Sequence, residues 1–169
     1  MEKAKKGFTL TELLVVISLT GILSAVGLAS YISFNRRETV IQSSRKIVQD
    51  LRLAQSLAIN NQKPADCGDE DILKGYIFKI NQGGSYQILA ECTNHDPFTV
   101  KTDSIPSNLA LSGFSQIKFK VLRGGIEFSG GQSLTISGFN QVNVITVGSG
   151  GEITLSTGAQ ITPTPTEVP

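Results

Sequence analysis

Lys5-Lys6-Gly7-Phe8-Thr9-Leu10-Thr11-Glu12-Leu13-Leu14 joins a short basic leader to a long apolar run that carries one carboxylate near its start. From Leu13 to Phe34 no side chain is ionisable except the phenol of Tyr31. A helix over that stretch is long enough to cross a hydrocarbon core of roughly 30 Å. Glu12 sits just inside the run. On insertion scales an acidic residue deep in a membrane costs about 2.5 to 3.5 kcal/mol, so a carboxylate kept there implies a function and a partner. The partner its charge favours is an amine. Lys3, Lys5 and Lys6 favour a cytoplasmic N-terminus by the positive-inside rule, although Arg36 and Arg37 beyond the run weaken the contrast.

Gly7-Phe8-Thr9-Leu10-Thr11-Glu12-Leu13-Leu14-Val15-Val16 resembles the class III signal sequence of type IV pilins and type II secretion pseudopilins. Thr11 stands where that family more often has an aliphatic residue, and Ala29 where many members have a proline. The resemblance implies that a prepilin peptidase cuts between Gly7 and Phe8 on the cytoplasmic side and methylates the new terminus to N-methyl-Phe8. The apolar helix is then retained. An ordinary secretory signal is instead cut after its apolar core; Gly27-Leu28-Ala29-Ser30 could host such a cut, and a plain signal anchor would also explain the run. Neither accounts for Glu12, four residues after Phe8.

In the pilin reading, the Glu12 carboxylate neutralises the Phe8 ammonium of a neighbouring subunit, or of its own chain before docking. Leaving either charge unpaired in low dielectric costs several kcal/mol, so the pair sets axial register and does no catalysis. Ser18, Thr20, Gly21, Ser24, Ala25, Gly27, Ala29 and Ser30 are small enough to let helices approach closely. The partners implied are other pilin or pseudopilin subunits, prepilin peptidase, an inner-membrane assembly platform and, before assembly, the lipid bilayer. The localisation implied is a single-pass inner-membrane protein with its N-terminus cytoplasmic and its head outside, and later a filament.

Outward from this stretch the pattern stays helical. Val40, Ser44, Ile47, Val48, Leu51, Ala54, Leu57 and Ala58 share one face, with Arg36, Arg37, Gln42, Arg45, Lys46, Gln49 and Arg52 mostly elsewhere. One helix from Phe8 to about Asn60 would extend roughly 80 Å at about 1.5 Å per residue, with Pro64 marking the stop. Strands are expected at 75–80 and 85–90 around Asn81-Gln82-Gly83-Gly84, and at 117–122, 125–128, 133–137, 142–147 and 152–155. Strands following one helix give an α+β, pilin-like fold: a long N-terminal helix, membrane-spanning in its first half, packed on an antiparallel sheet head. The segments are a leader at 1–7, a transmembrane or filament-core helix at 8–34, its amphipathic continuation at 35–62, a β-rich head at 63–158 and a Pro/Thr-rich disordered tail at 159–169. The stretches 51–61, 75–77, 126–136 and 144–155 together resemble H-type minor pseudopilins and related minor pilins. That second resemblance implies a low-abundance subunit near a filament tip.

The 169 residues carry a net charge of +1, and without residues 1 to 7 the count is twelve basic against thirteen acidic side chains. No strongly basic field remains. Some H-like minor pilins bind DNA through arginines near the last hairpin, but Gly150-Gly151-Glu152-Ile153-Thr154 has none. Counterion release needs several Lys or Arg contacts, which Arg36, Arg37, Lys118, Lys120 and Arg123 could supply only by converging. A DNA-binding minor pilin is therefore the alternative, nucleic acid being the disfavoured partner, and a monomeric membrane-anchored binding domain is a third reading. Cys67 and Cys92 favour a disulfide in an exported head over free thiols or a metal role. Asp66, Asp69, Glu70 and Asp71 could offer oxygen to calcium, yet their spacing does not fit the twelve-residue loop, and a solvated loop is favoured. His95 reads as a loop residue, the glycine pairs as turns, and Gly148-Ser149-Gly150 as a hairpin turn and not a nucleophile elbow. No enzyme, cofactor or metal is expected.

Overall fold

The computed structural model describes residues 9–160, except for the side chains of residues 25–27, 29, 159 and 160. The leader and the Gly7–Phe8 bond lie outside the described residues. Helix α1 runs Leu10–Ile59, and the chain divides at Glu38 and Thr39 into two compact units. The second unit holds the end of α1 and all nine strands: β1 (Leu73–Ile80), β2 (Ser85–Cys92), β3 (Phe98–Ser104), β4 (Ala110–Gly113), β5 (Gln116–Lys120), β6 (Ile126–Ser129), β7 (Ser133–Gly138), β8 (Gln141–Val147) and β9 (Ile153–Gln160). The fold is α+β, with the helix packed on antiparallel strands.

The helix stops before the proline expected to end it. Asn61 adopts a left-handed φ of 47°. Gln62 N–H donates to Leu57 O at 3.0 Å and Asn61 N–H to Ala58 O at 3.1 Å, which is the Schellman arrangement that satisfies the last carbonyls. Pro64 lies three residues further on.

The strands form two sheets rather than one. One has the order β3-β2-β1-β5-β6 and the other β4-β7-β8-β9. The chain crosses to the second sheet for β4, returns to the first for β5 and β6, and crosses again to β7 at Gly130-Gly131, whose φ values of 90° and 119° are open to glycine and strained for other residues. The expected β1–β2 hairpin closes over Gln82–Gly84, a single 3-10 turn. The strand expected at 117–122 ends at Lys120, because Leu122 and Arg123 take φ values of 52° and 60°. Strand β9 runs to Gln160, two residues into the tail expected from 159, and residues 161–169 lie outside the described ones.

Both sheets close on one stripe of α1. Val40, Ser44, Ile47, Leu51, Ala54 and Ala58 are fully buried, at the three- and four-residue steps of a helical face. Opposite them lie Tyr76, Phe78, Tyr86, Ile88, Ile117 and Phe119 of the first sheet and Leu134, Ile136, Ile145 and Val147 of the second. Phe78 stacks on Tyr86 with centroids 5.1 Å apart and meets the edge of Phe114 at 6.5 Å. On the opposite face of the first sheet, Gly75 stands between Glu91 and Lys120 in the register. A Cβ there would lie 2.4 Å from Phe119 O, a backbone atom held in the ladder. Gly75→Ala is expected to destabilise the head by about 1 to 3 kcal/mol through overpacking, read as a lowered midpoint in thermal unfolding of the detergent-solubilised chain; an unchanged midpoint would refute the close approach.

Candidate functional site

The first unit presents the apolar run as helix. Thr9 caps it: its Oγ1 accepts from Glu12 N–H at 3.3 Å, and its carbonyl accepts from Leu13 N–H at 3.2 Å. Thr9-x-x-Glu12 is thus the Thr-x-x-Glu pattern of a capping box, with Glu12 at the third helical position. That signal is legible in the sequence once Thr9 and Glu12 are taken together, beyond the charge of Glu12 alone. A carboxylate in the first turn also sits at the positive end of the helix dipole. Glu12 itself is exposed.

Beyond it, Leu13, Leu14, Val15, Val16 and Ile17 are each more than half exposed, as are Leu19, Ile22, Leu23 and Leu28. Five consecutive apolar residues at about 100° per residue leave no polar side, the pattern of a helix meant to be surrounded by apolar matter. The hydroxyls in the run turn inward. Ser18 Oγ donates to Leu14 O at 2.8 Å, Thr20 Oγ1 to Val16 O at 2.8 Å and Ser33 Oγ to Ser30 O at 2.9 Å. The hydroxyl protons of Ser18, Thr20 and Ser33 are therefore satisfied without water. Among the described residues, no helix is long and apolar enough to cross a membrane; residues 25–27 and 29, whose side chains are not described, fall within the run.

A second cluster fastens α1 to the first sheet. Asp50, 4 % exposed, accepts from Tyr86 Oη at 2.8 Å and from Lys101 Nζ at 2.6 Å. Lys46 Nζ reaches Asp103 at 2.6 Å, and Lys101 lies 3.9 Å from the same carboxylate. Two acids thus face two amines. Burial pushes the Tyr86 phenol well above its ordinary range, and the Asp50 hydrogen bond and charge push it further, so Tyr86 stays a neutral donor. The hydrogen bond from Lys46 holds the Asp103 carboxyl below the usual carboxylate range despite some desolvation.

The cysteines and the acidic loop meet at the far end of β2. Cys67 and Cys92 form a disulfide with both residues buried, closing a loop of 25 residues' separation and contributing on the order of 3 kcal/mol. Beside it Asp71 accepts from Thr93 Oγ1 at 3.1 Å, Asn94 Nδ2 at 2.7 Å and His95 Nε2 at 3.0 Å. Burial alone would raise the Asp71 pKa, but the bonds from Thr93 and Asn94 and the His95 charge outweigh it and leave the carboxyl lowered. The sequence reading left Asp71 in a solvated acidic run. Instead it and His95 tie the loop before β1 to the loop after β2. No group of three or more His, Cys, Asp or Glu side chains suited to a metal occurs among the described residues.

The cations that might have met nucleic acid are placed otherwise. Lys118 Nζ lies 2.7 Å from Glu91 and 3.7 Å from Glu127, and Lys120 Nζ 2.7 Å from Glu127. Arg36 and Arg37 belong to the other compact unit. Gly148-Ser149-Gly150-Gly151 turns β8 into β9, with Gly148 N–H on Glu152 O at 2.9 Å.

Comparison with known families gives a match at the N-terminus. Residues 3–28 carry the prokaryotic N-terminal methylation motif, which is consistent with the type IV pilin and pseudopilin family. The motif spans the cap, Glu12 and the exposed apolar turns described above. It supports a pilin or pseudopilin subunit rather than an enzyme, and implies processing by a prepilin peptidase and assembly with other pilin subunits. No solved structure matches the chain.

The lowered carboxyls of Asp71 and Asp103, with that of Glu127 held down by its hydrogen bond from Lys120, set a pH dependence. A carboxyl with a folded-state pKa below its unfolded value contributes stability that is full above the unfolded pKa, about 3.9, and is lost as pH falls through the folded one. The melting temperature of the head is therefore expected to fall as pH drops from about 5 to about 2. Asp103→Asn should flatten part of that slope, read by circular dichroism at each pH; parallel slopes for the two proteins would remove Asp103 from the account.

Proposed function

We propose that this chain is a minor, H-type structural subunit of a type II secretion pseudopilus or a type IV pilus. Cut between Gly7 and Phe8 and N-methylated at Phe8, it sits in the inner membrane through residues 8–34 with its N-terminus cytoplasmic and its head outside. An assembly platform then draws it into a filament. The observation that carries this reading is the helix from Leu10, exposed and apolar on every side, with a single carboxylate one turn from the proposed new terminus. Such a surface needs lipid or other helices around it, and a buried carboxylate needs a cation.

The cap geometry sharpens the role given to Glu12. Its backbone N–H is held by Thr9 and its side chain is exposed, and Phe8 would bring an ammonium within one turn. Pairing with the ammonium of an adjacent subunit would align the two helices axially. The DNA-binding alternative draws little support, because Lys118 and Lys120 are bound to Glu91 and Glu127. A solitary membrane anchor would need Glu12 for no more than its helix cap.

Two measurements test the reading. Mass spectrometry after co-expression with a prepilin peptidase is expected to find N-methyl-Phe8 as the mature terminus; an intact Met1, or a cut near Ala29, would reduce the chain to an anchored or secreted β-rich domain. Glutamine keeps the capping-box chemistry of position 12 and removes the charge. Glu12→Gln should therefore insert normally yet be depleted about tenfold or more from sheared filaments, as should Glu12→Val, an effect of the size expected for an unpaired buried ammonium. Normal incorporation of both would end the register argument.

A further inference from the structure

The two sheets have four edges, and three of them are blunted. Strands β4 and β6 are four residues long, and β3 carries Lys101 and Asp103 and pairs with β2 through an irregular register. Short, charged or bulged edges are the ordinary protection against adventitious pairing. The fourth edge, β9, is eight residues long and reads Ile153-Thr154-Leu155-Ser156-Thr157-Gly158-Ala159-Gln160, with neither a charge nor a proline; its register with β8 is regular from Ile153 to Thr157 and shifts only beyond, at Gly158. Val147 N–H is given to Gln132 O and Gly148 N–H to Glu152 O, each at 2.9 Å. Antiparallel alternation then turns the backbone groups of Ile153, Leu155 and Thr157 away from β8. Among the described residues nothing pairs with them.

We propose that the open edge of β9 takes up residues 162–166 of a second copy of this chain as an added antiparallel strand. These residues lie outside the described ones, and the case rests on their sequence, Thr162-Pro163-Thr164-Pro165-Thr166. In an extended segment, successive backbone groups point to opposite edges. The three threonines would thus direct N–H and C=O to one edge, while Pro163 and Pro165, having no N–H, lie along the other. Such a strand pairs on one side and terminates the sheet on the other, the position in which proline is accepted. Three outward residues of β9 at two-residue spacing meet three threonines at the same spacing, with Ile153 opposite Thr166, Leu155 opposite Thr164 and Thr157 opposite Thr162. Neither strand brings a charge to the contact.

The segment belongs to a second copy because β9 stays paired with β8 through Ala159–Val142 and Gln160–Gln141. To reach its own edge in this register, the chain would have to reverse between Thr157 and Thr162 and break both pairs. The inference stands on the sheet edge and needs no filament, so it survives or fails apart from the pilin reading.

A synthetic peptide of residues 161–169, with a fluorophore and with a benzophenone in place of the Ile161 side chain, is added to the full chain dispersed in detergent. Saturable binding is expected, with photo-crosslinks mapped by mass spectrometry to β9. Methylating the backbone nitrogen of Thr164 should weaken binding at least about tenfold, by removing one donor and crowding the edge. Leu155→Pro in the chain should do the same, and the methylated peptide keeps the test sound should that variant fail to fold. Absence of saturable binding, crosslinks outside β9, or equal binding of the methylated peptide would overturn the proposal.

Discussion

Everything in the head depends on one helical stripe being covered from two directions. Val40, Ile47, Leu51 and Ala54 are fully buried, and each large aliphatic side chain so buried contributes roughly 1.5 to 3 kcal/mol. Neither sheet could supply this alone. The first brings aromatic bulk in Tyr76, Phe78 and Phe119, and the second brings the aliphatic set Leu134, Ile136, Ile145 and Val147. Alanine at positions 54 and 58 keeps the last two turns slim where Tyr76 passes to donate to Gln62 O at 2.6 Å.

An apolar stripe fixes which side of a helix is buried but tolerates small rotations about its axis. The polar contacts are less forgiving. Asp50 is held by Tyr86 and Lys101 of the first sheet. On the other side Asn143 of β8 donates from Nδ2 to Ser44 Oγ at 2.9 Å, and that hydroxyl donates in turn to Val40 O at 2.8 Å. Gln55 reaches Gly151 O at 2.7 Å in the turn before β9. A buried acid with its cation is seldom a net gain over a well-packed apolar pair, yet removing one partner is costly. Their use here is angular: rotation of α1 in either sense would strand Asp50 or Asn143 without a partner in low dielectric.

The long helix, the first hairpin and the strands after Ile117 were legible because their apolar residues repeat at 3.6 or 2 and glycine pairs punctuate them. Strand β3 was not, and the reason is physical. Lys101 and Asp103 lie opposite Ile88 and Tyr86 in the register and face the helix, where Asp50 and Lys46 receive them. The inward positions are thus charged, and the alternation that marks a strand is inverted until the helix partners are known. Strand β4 is too short to show a period, and the chain crosses between the sheets before and after β4 and again at Gly130-Gly131, which sequence alone reads only as a turn. At the N-terminus the charge of Glu12 was read and its cap was missed, since Thr9 and Glu12 needed only to be taken together. The Asp71–His95 contact was beyond reach, because it joins two loops that the Cys67–Cys92 bond brings side by side.

The same helix meets two opposed demands, and the way it divides them explains its composition. Over residues 39–59 the buried polar side chains of Ser44 and Asp50 have partners from the sheets. Over residues 10–34 the hydroxyls of Ser18, Thr20 and Ser33 turn back to carbonyls three or four residues earlier on their own helix, and Thr11 Oγ1 meets Thr9 Oγ1. Serine and threonine can do this, whereas a carboxylate cannot, since it has no proton to give a carbonyl. Glu12 is the one ionisable side chain between Thr9 and Phe34 apart from the Tyr31 phenol. The capping box and the helix dipole favour an acid at that position, but no cationic side chain lies between Thr9 and Phe34 to pair with its charge. On the proposed reading that cation is the terminal ammonium of a neighbouring chain, so the charge and the apolar length act together.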